Sequence, residues 1–173
     1  MNIWIRKYGD PNMREVCKPV EKIGKLEKQI FYQLYEALFG NCALGIAAPQ
    51  IGFPRRIIAV RMDGYFLQLA NPFILEKEGK SILTEGCLSI PEVFIKVPRF
   101  EKIKIQAIDE TGKKIKLEAE GMLARTLQHE IDHLNGTLIV DYATEKKKAK
   151  IMDKLNQIAQ NTRMLLKIKS KNK

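Results

Sequence analysis

Apolar residues recur every three or four positions in three segments of the chain, which is the spacing of one face of an α-helix. The segments are 26–39, 122–135 and 144–166. Gly40 and Gly136 follow the first two segments, as is typical of residues that end a helix. The pattern therefore predicts three helices, the last of them near the carboxyl end of the chain.

Shorter apolar runs between the first two helical segments predict strands. Residues 56–61 and 65–70 are rich in β-prone side chains and are joined by a turn at 62–64, which favours a hairpin. Residues 103–108 and 115–117 predict a second hairpin with one solvent-facing side. Strands in the middle of the chain and helices elsewhere predict an α+β fold, with mostly antiparallel sheets around a central helix and a further C-terminal helix.

A chain of 173 residues is the size of one domain, so we expect a single domain over 1–173, in which 144–166 is a basic helix and 167–173 a disordered tail. No apolar run approaches the roughly 18 residues that span a bilayer. A charge within the first six residues interrupts any signal-peptide core. Three cysteines are too few for a disulfide framework, and we expect Cys17 and Cys42 to be small buried side chains in a cytoplasmic protein.

The net charge of +10 is unevenly distributed along the chain. Residues 145–173 contain ten basic and two acidic residues, whereas residues 1–144 carry a net charge of only +2. A nucleic-acid-binding module would need basic and aromatic residues interleaved across the body, so the charge pattern argues against that class. The basic tail fits either a solvated helix face or a salt-sensitive contact with RNA phosphates.

Both histidines of the chain, His129 and His133, lie four residues apart on the second predicted helix, with Glu130 between them. Residues four apart share a helix face, so two imidazoles at this spacing can bind one metal ion. Chance produces this arrangement on the order of once in a thousand sequences of such composition, which gives the motif weight. The alternative is a pair of surface histidines on an amphipathic helix.

Catalytic metal sites usually have three protein ligands and one open position, so one ligand is missing from this motif. Cys87 is the best candidate because it lies in 84–91, a segment that its glycine and proline predict to be bent. A lone cysteine there fits a small buried side chain equally well. The small-residue stretch 45–52 contains Gln50, whose amide could donate a hydrogen bond to an oxyanion, although a plain turn explains the stretch equally well.

Together these three segments resemble the bacterial peptide deformylase family. Its signatures are Gly-x-Gly-φ-Ala-Ala-x-Gln, Glu-Gly-Cys-φ-Ser and Gln-His-Glu-φ-Asp-His, where φ is apolar, and they correspond here to residues 43–50, 85–89 and 128–133. The likeness covers residues 10–142, nearly the whole body. It implies a metallohydrolase that removes the N-terminal formyl group from formylmethionyl peptides and releases formate.

The resemblance implies a role for each matched residue. The metal ligands would be Cys87, His129 and His133. They would bind one divalent ion, usually Fe(II), with Zn, Ni or Co able to substitute. Glu130 would act as general base on water, while Gln50 and the backbone N–H of Leu88 would stabilise the oxyanion.

The same resemblance places supporting residues around this centre. The substrate methionine would occupy a pocket, and its peptide would lie extended as an added strand. These substrate-binding residues are Leu44, Leu83 and Met122 for the pocket, with Gly45 and Ile46 beside the peptide. Glu85 and Arg99 would form an ion pair, and Asp132 would accept a hydrogen bond from a ligand imidazole or a backbone group, against the alternative of a solvated helix charge.

Three positions depart from the family pattern. Ala43 replaces a glycine, so its methyl group would narrow the groove or shift a backbone that needs positive φ. Arg125 and Thr126 stand where apolar or small residues are frequent. An inactive relative is therefore one alternative, although the presence of Glu130 and Gln50 argues against it.

Two further expectations concern other classes and partners. A zincin-type protease would use the same histidine motif with a downstream third ligand, but no third histidine exists and Glu145 is the only glutamate after Glu130. From the hydropathy and charge patterns we expect no membrane contact and no sequence-specific nucleic-acid binding, and we expect a monomer. Its basic C-terminal helix would either contact the ribosome or be merely solvated.

Overall fold

Two antiparallel sheets and three α-helices make up residues 3–62 and 64–171, the part of the chain described by the computed structural model. In chain order the elements are α1 Lys25–Gly40, β1 Gly45–Ala47, β2 Ile57–Met62, β3 Tyr65–Glu78, β4 Ser81–Cys87, β5 Ile90–Arg99, β6 Lys102–Asp109, β7 Lys114–Glu120, α2 Gly121–Leu134 and α3 Glu145–Lys171. Short 3₁₀ turns occupy Pro11–Arg14, Ala48–Ile51 and Ile139–Tyr142. The predicted α+β class is confirmed.

The larger sheet has the strand order β1-β2-β3-β6-β7, and β4 pairs with β5 in the smaller one. Residues alternate between the two faces of a strand. In β2, Ile57 and Ala59 belong to the same apolar cluster as α1, whereas Ile58 and Val60 belong to the cluster that contains α2. Helices α1 and α2 therefore cover opposite faces of the larger sheet, which places α2 in the interior.

The two predicted hairpins correspond to β2–β3 and β6–β7. Asp63, in the predicted turn of the first hairpin, lies outside the described residues. Strand β5 was not predicted from the sequence, although its apolar residues Val93, Ile95 and Val97 alternate with exposed ones. These side chains turn inward to pack on the C-terminal part of the chain, including α3.

Helix α3 is longer than the predicted 144–166, since it continues to Lys171. The disordered tail expected from residue 167 is helical as far as 171, and residues 172 and 173 lie outside the described chain. The terminal turns have a partner in the body, because the Lys169 ammonium lies 3.4 Å from the centroid of the Trp4 ring. No helix in residues 3–62 and 64–171 has the length and apolarity to cross a membrane.

Candidate metal centre and active site

Helix α2 carries both histidines and the glutamate between them into the interior. Gly121, with a φ of 59°, allows the chain to turn directly from β7 into this helix. His133 is 2% exposed and Glu130 is 3% exposed, and the rings of His129 and His133 have centroids 5.0 Å apart. This burial argues against a pair of surface histidines.

Cys87 reaches the two histidines from the end of β4. A register shift between Glu85 and Cys87 interrupts the pairing with β5 and turns the strand at this point, in agreement with the predicted bend. The Cys87 Sγ lies 3.3 Å from His133 Nε2, and one ligand atom of each of Cys87, His129 and His133 lies within 4.8 Å of the others. One sulfur and two imidazole nitrogens at this separation fit a single divalent ion such as Fe, Co, Ni or Zn.

The electrostatics of the cluster favour a thiolate. Burial alone would raise the pKa of the Cys87 thiol, but the charge of His133 and hydrogen bonds with both histidines lower it well below its ordinary value. Burial would lower the pKa of His129, and hydrogen bonds with Cys87 and Glu85 raise it well above the ordinary value. A deprotonated sulfur is the form that binds a metal ion.

Glu85 orients one of the histidines and is itself held by two arginines. Its Oε2 is 2.9 Å from His129 Nδ1, and Arg99 donates to both carboxylate oxygens at 3.0 Å, the pair expected from the sequence. Arg125 Nη1 donates to Oε1 at 2.7 Å. Burial would raise the pKa of Glu85, but the hydrogen bonds from His129 and Arg99 lower it to about 2. The carboxylate is therefore charged and fixed beside the imidazole.

Asp132 does not contact a ligand imidazole in the way that the sequence analysis expected. Its Oδ2 accepts hydrogen bonds from Arg99 Nη1 and from the hydroxyl of Tyr142 at 2.8 Å. Asp132 lies next to His133 in sequence but projects towards β5, because adjacent helical residues point about 100° apart. Glu85 takes the position beside His129, and Asp132 steadies the arginine that holds Glu85.

Glu130 has a carboxylate oxygen free for chemistry. Its Oε2 is buried and has no hydrogen-bond partner among the described residues. Burial raises the pKa of Glu130 to about 7, against the attraction of His129 and His133. A carboxyl group with such a pKa can both accept and release a proton near neutrality.

Gly45 allows β1 to approach this carboxylate closely. A Cβ at this position would lie 2.8 Å from Glu130 Cγ and 2.7 Å from Thr126 Cγ2, which is inside van der Waals contact. The small-residue stretch is therefore more than a plain turn, since it lets the edge of the sheet run directly past the buried glutamate.

The amide of Gln50 faces the cluster with its nitrogen. The Oε1 atom accepts from the backbone N–H of Ala47 at 2.8 Å, which fixes the orientation of the amide. The Nε2 atom lies 3.2 Å from Ser89 Oγ and 3.8 Å from Cys87 Sγ. Gln50 thus presents a donor next to Cys87, and Leu88 follows in the adjoining turn.

A groove with a cavity volume of about 570 Å³ opens onto the cluster. Its lining includes four of the predicted substrate-binding residues, namely Leu44, Gly45, Leu83 and Met122. Ile46 differs, because its side chain is fully buried in the core beneath α1 and only its backbone can face a peptide. Within residues 3–62 and 64–171 the larger sheet ends at β1 and β4 pairs only with β5, so both sides of the groove have a strand edge.

The three departures from the family pattern, Ala43, Arg125 and Thr126, all line this groove of about 570 Å³. The positive φ of the first segment falls on Cys42 at 51°, so Ala43 has no unfavourable backbone angle. Cys42 is exposed, against the expectation of a buried side chain, whereas Cys17 is buried as expected.

Arg125 has a structural role that the sequence analysis missed. It is 4% exposed and donates to Glu85, to the carbonyl of Val97, and to the carbonyl and hydroxyl of Ser81. It therefore ties α2 to both strands of the smaller sheet. The available signal was a charged residue in an otherwise apolar stretch of helix, which requires buried acceptors.

Comparisons with known proteins agree with this geometry. The sequence matches the polypeptide deformylase family over residues 3–149. A peptide deformylase from Halothermothrix orenii is 45% identical over 139 residues, which are 79% of this chain and 90% of the relative.

Solved structures give the same result. The peptide deformylase of Thermus thermophilus has a TM-score of 0.87 and 35% identity, covering 93% of this chain and 99% of that one. A complex of Plasmodium falciparum peptide deformylase with an inhibitor has a TM-score of 0.83 and 34% identity, covering 90% of this chain and 99% of that one. The chain therefore belongs to the polypeptide deformylase family, metal-dependent hydrolases that remove the N-terminal formyl group from nascent peptides.

Proposed function

We propose that Glu130 is the general base and acid in the removal of the formyl group. The observation that carries this proposal is the free, buried Oε2 of Glu130 beside the cluster of Cys87, His129 and His133. A divalent ion held by these three residues would act as a Lewis acid and lower the pKa of a nearby water molecule. Glu130 accepts the proton that this water loses as it attacks the formyl carbon.

The remaining steps use the surrounding donors and the same carboxyl group. Gln50 Nε2 and the backbone N–H of Leu88 donate hydrogen bonds to the oxyanion that forms when water adds to the formyl carbon. Glu130 then gives its proton to the amide nitrogen, the carbon–nitrogen bond breaks, and formate leaves with a free amino terminus on the peptide. No proton is gained or lost by Glu130 over the complete cycle.

The substrate is a formylmethionyl peptide that lies in the groove as an added strand. The free edge of β1 at Gly45 and Ile46 supplies backbone hydrogen bonds to it, and the apolar side chains of Leu44, Leu83 and Met122 contact the methionine. Backbone pairing leaves the side chains after methionine largely unselected, as suits an enzyme that acts on many different nascent chains.

The physiological metal in this proposal is Fe(II), with Zn, Ni or Co able to take its place. A thiolate and two imidazoles suit these ions, whereas Mg²⁺ and Ca²⁺ prefer oxygen ligands. Cys87 supplies the thiolate and is open to oxidation, so a reducing cytoplasm is the matching compartment. The protein acts as a monomer, and its basic α3 contacts the ribosome.

The experiment is formate release from formyl-Met-Ala-Ser by protein purified without oxygen and supplied with Fe(II) or Ni(II). We expect rapid release that stops when the metal is chelated, and lowered metal content in Cys87→Ser. Folded, metal-loaded protein that releases no formate would contradict the proposed function and favour an inactive relative. Unchanged metal content in Cys87→Ser would contradict the assigned ligand.

A further inference from the structure

Three consecutive residues near the amino terminus connect the two turns that carry the proposed oxyanion donors. The backbone N–H of Arg6 donates to the carbonyl of Gln50 at 2.7 Å. Two residues later, the backbone N–H of Tyr8 donates to the carbonyl of Ser89 at 2.9 Å. The N-terminal segment thus links the 3₁₀ turn of Gln50 to the turn that follows Cys87.

Lys7 lies between these two backbone bonds and turns its side chain to the same place. Its ammonium donates to the carbonyl of Leu88 at 2.5 Å, and the residue is partly buried in the wall of the groove. No carboxylate pairs with Lys7 in residues 3–62 and 64–171, so the Leu88 carbonyl is the identified acceptor for its charge. Hydrogen bonds from a charged donor are roughly twice as strong as neutral ones.

We infer that Lys7 is a positioning residue for the oxyanion hole, a role that rests on the proposed function. Its ammonium holds the Leu88 carbonyl, while Tyr8 holds the next carbonyl of the same turn, so the chain around Leu88 cannot rotate freely. The Leu88 N–H belongs to the preceding peptide unit, which lies between Cys87, paired with Ile90, and the held Leu88 carbonyl, so its direction is set before substrate arrives. Fixed donors stabilise an oxyanion more than donors that must reorient during the reaction.

The amino terminus therefore prepares both donors through separate bonds. The Arg6 backbone holds Gln50 from behind, and the Lys7 side chain holds Leu88. The Gln50 amide and the Ser89 hydroxyl also lie 3.2 Å apart, which joins the two turns directly. Of these contacts, only that of Lys7 comes from a side chain outside both turns. A substitution of Lys7 therefore removes the contact and leaves Gln50 and Leu88, the proposed oxyanion donors, unchanged.

The test compares Lys7→Met, Lys7→Gln and Lys7→Arg with Lys113→Met, a control at an exposed lysine of the β6–β7 turn. Methionine keeps the apolar stem of the side chain but cannot donate. An interaction that acts mainly in the transition state changes kcat more than KM, so we expect Lys7→Met to lower kcat by about tenfold with KM within about twofold. Lys7→Arg, which keeps a charged donor, restores kcat to within about threefold, and Lys7→Gln falls between the two.

Metal content and the melting temperature are measured for every variant. We expect metal content to match the original protein and the melting temperature to fall by only a few degrees, because the Leu88 carbonyl borders the groove and water can replace the lost donor. A Lys7→Met enzyme with unchanged kcat overturns the inference, as does a raised KM alone or a loss of kcat that follows lost metal or stability. If Lys7→Met does not fold, Lys7→Gln and Lys7→Arg carry the same comparison. Absence of formate release by the original protein contradicts the proposed function instead, so the two failures are distinguishable.

Discussion

The charged side chains around α2 and those of α3 are placed in opposite ways. Glu85, Arg99 and Arg125 are buried, and both arginines bind Glu85 beside the ligand cluster. Helix α3 buries an apolar stripe with Thr162, and most of its lysines are exposed, although Lys154 pairs with Glu92 and Lys169 lies against the Trp4 ring. One region uses buried charge to hold the geometry of the ligand cluster, whereas the other exposes most of its charge to solvent.

The difference sets the size of the expected effects. Removal of one member from a buried ion pair leaves an uncompensated charge or unpaired carbonyls in the interior, which is strongly destabilising. Exposed ion pairs contribute little, because water and salt already screen them. Substitutions of the buried charged residues around α2 should therefore alter activity, metal binding or stability. Substitutions of the exposed α3 lysines should alter none of these and should affect only contact with a partner.

The largest effect is expected for Glu130→Gln. The amide keeps the shape of the side chain but cannot accept the proton of the attacking water, so kcat should fall by about 10³-fold. Metal content should stay the same, because Glu130 is not one of the three ligands. Formate release and metal analysis measure the two quantities, with Glu110→Gln, in the exposed β6–β7 turn, as a control. Retained turnover would remove Glu130 from the role of base.

The second effect is expected for Arg125→Leu. The substitution leaves the carbonyls of Val97 and Ser81 without their donor and takes one arginine from Glu85, so the free energy of unfolding should fall by about 3 kcal/mol. Metal affinity should fall by about tenfold, since Glu85 orients His129 less firmly.

Denaturant unfolding and competition with a metal chelator check these two values for Arg125→Leu. Arg163→Leu is the matched control, because the same change on the exposed side of α3 removes a solvated charge. Equal stability losses in the two variants would remove the distinction between the regions.

The sequence predicted the part of the site that depends on local spacing. Residues four positions apart share one face of a helix, so the sequence alone predicts that His129 and His133 can bind the same metal ion. Contacts between distant segments do not follow in this way. Arg125 and Glu85 are 40 positions apart, and only the packing of α2 on β4 shows that the arginine supports the glutamate rather than closing the groove.

The fold shows the same limit. Two hairpins and three helices follow from periodicity, and the alternation in β5 was a usable signal for a further strand. The continuation of α3 to Lys171 places Lys169 against Trp4, near the other end of the chain, and no local pattern contains that contact. Likewise, the assignment of Lys7 depends on the meeting of the amino terminus with the turn after Cys87.

A third, smaller effect is expected for Leu155→Ala on the apolar stripe of α3. Leu155 is 4% exposed and belongs to the same apolar cluster as Val93 and Ile95 of β5, so its truncation should lower the free energy of unfolding by about 2–3 kcal/mol. The value of kcat below the melting temperature should not change, because Leu155 itself does not line the groove, although Cys87 packs against the same cluster. Thermal unfolding and formate release at about 25 °C test the two statements. Unchanged stability would show that α3 is not part of the core.

The smallest effect on the enzyme itself is expected for the double change Lys146→Gln and Lys150→Gln. Both lysines are exposed on α3, so the free energy of unfolding should stay within about 0.5 kcal/mol and formate release should be unaffected. If α3 contacts ribosomal RNA through phosphates, each lost charge should weaken binding and reduce the salt dependence by roughly one unit in log–log slope.

Sedimentation with ribosomes at several salt concentrations measures this slope for the double variant and the original protein. A slope that is the same for both proteins would make the lysine face a solvated surface, with the apolar stripe as the whole contribution of α3. A reduced slope with unaltered formate release would instead separate the two regions completely. The charges on α3 would then act on the ribosome alone, and the buried charges around α2 would act on the catalytic site alone.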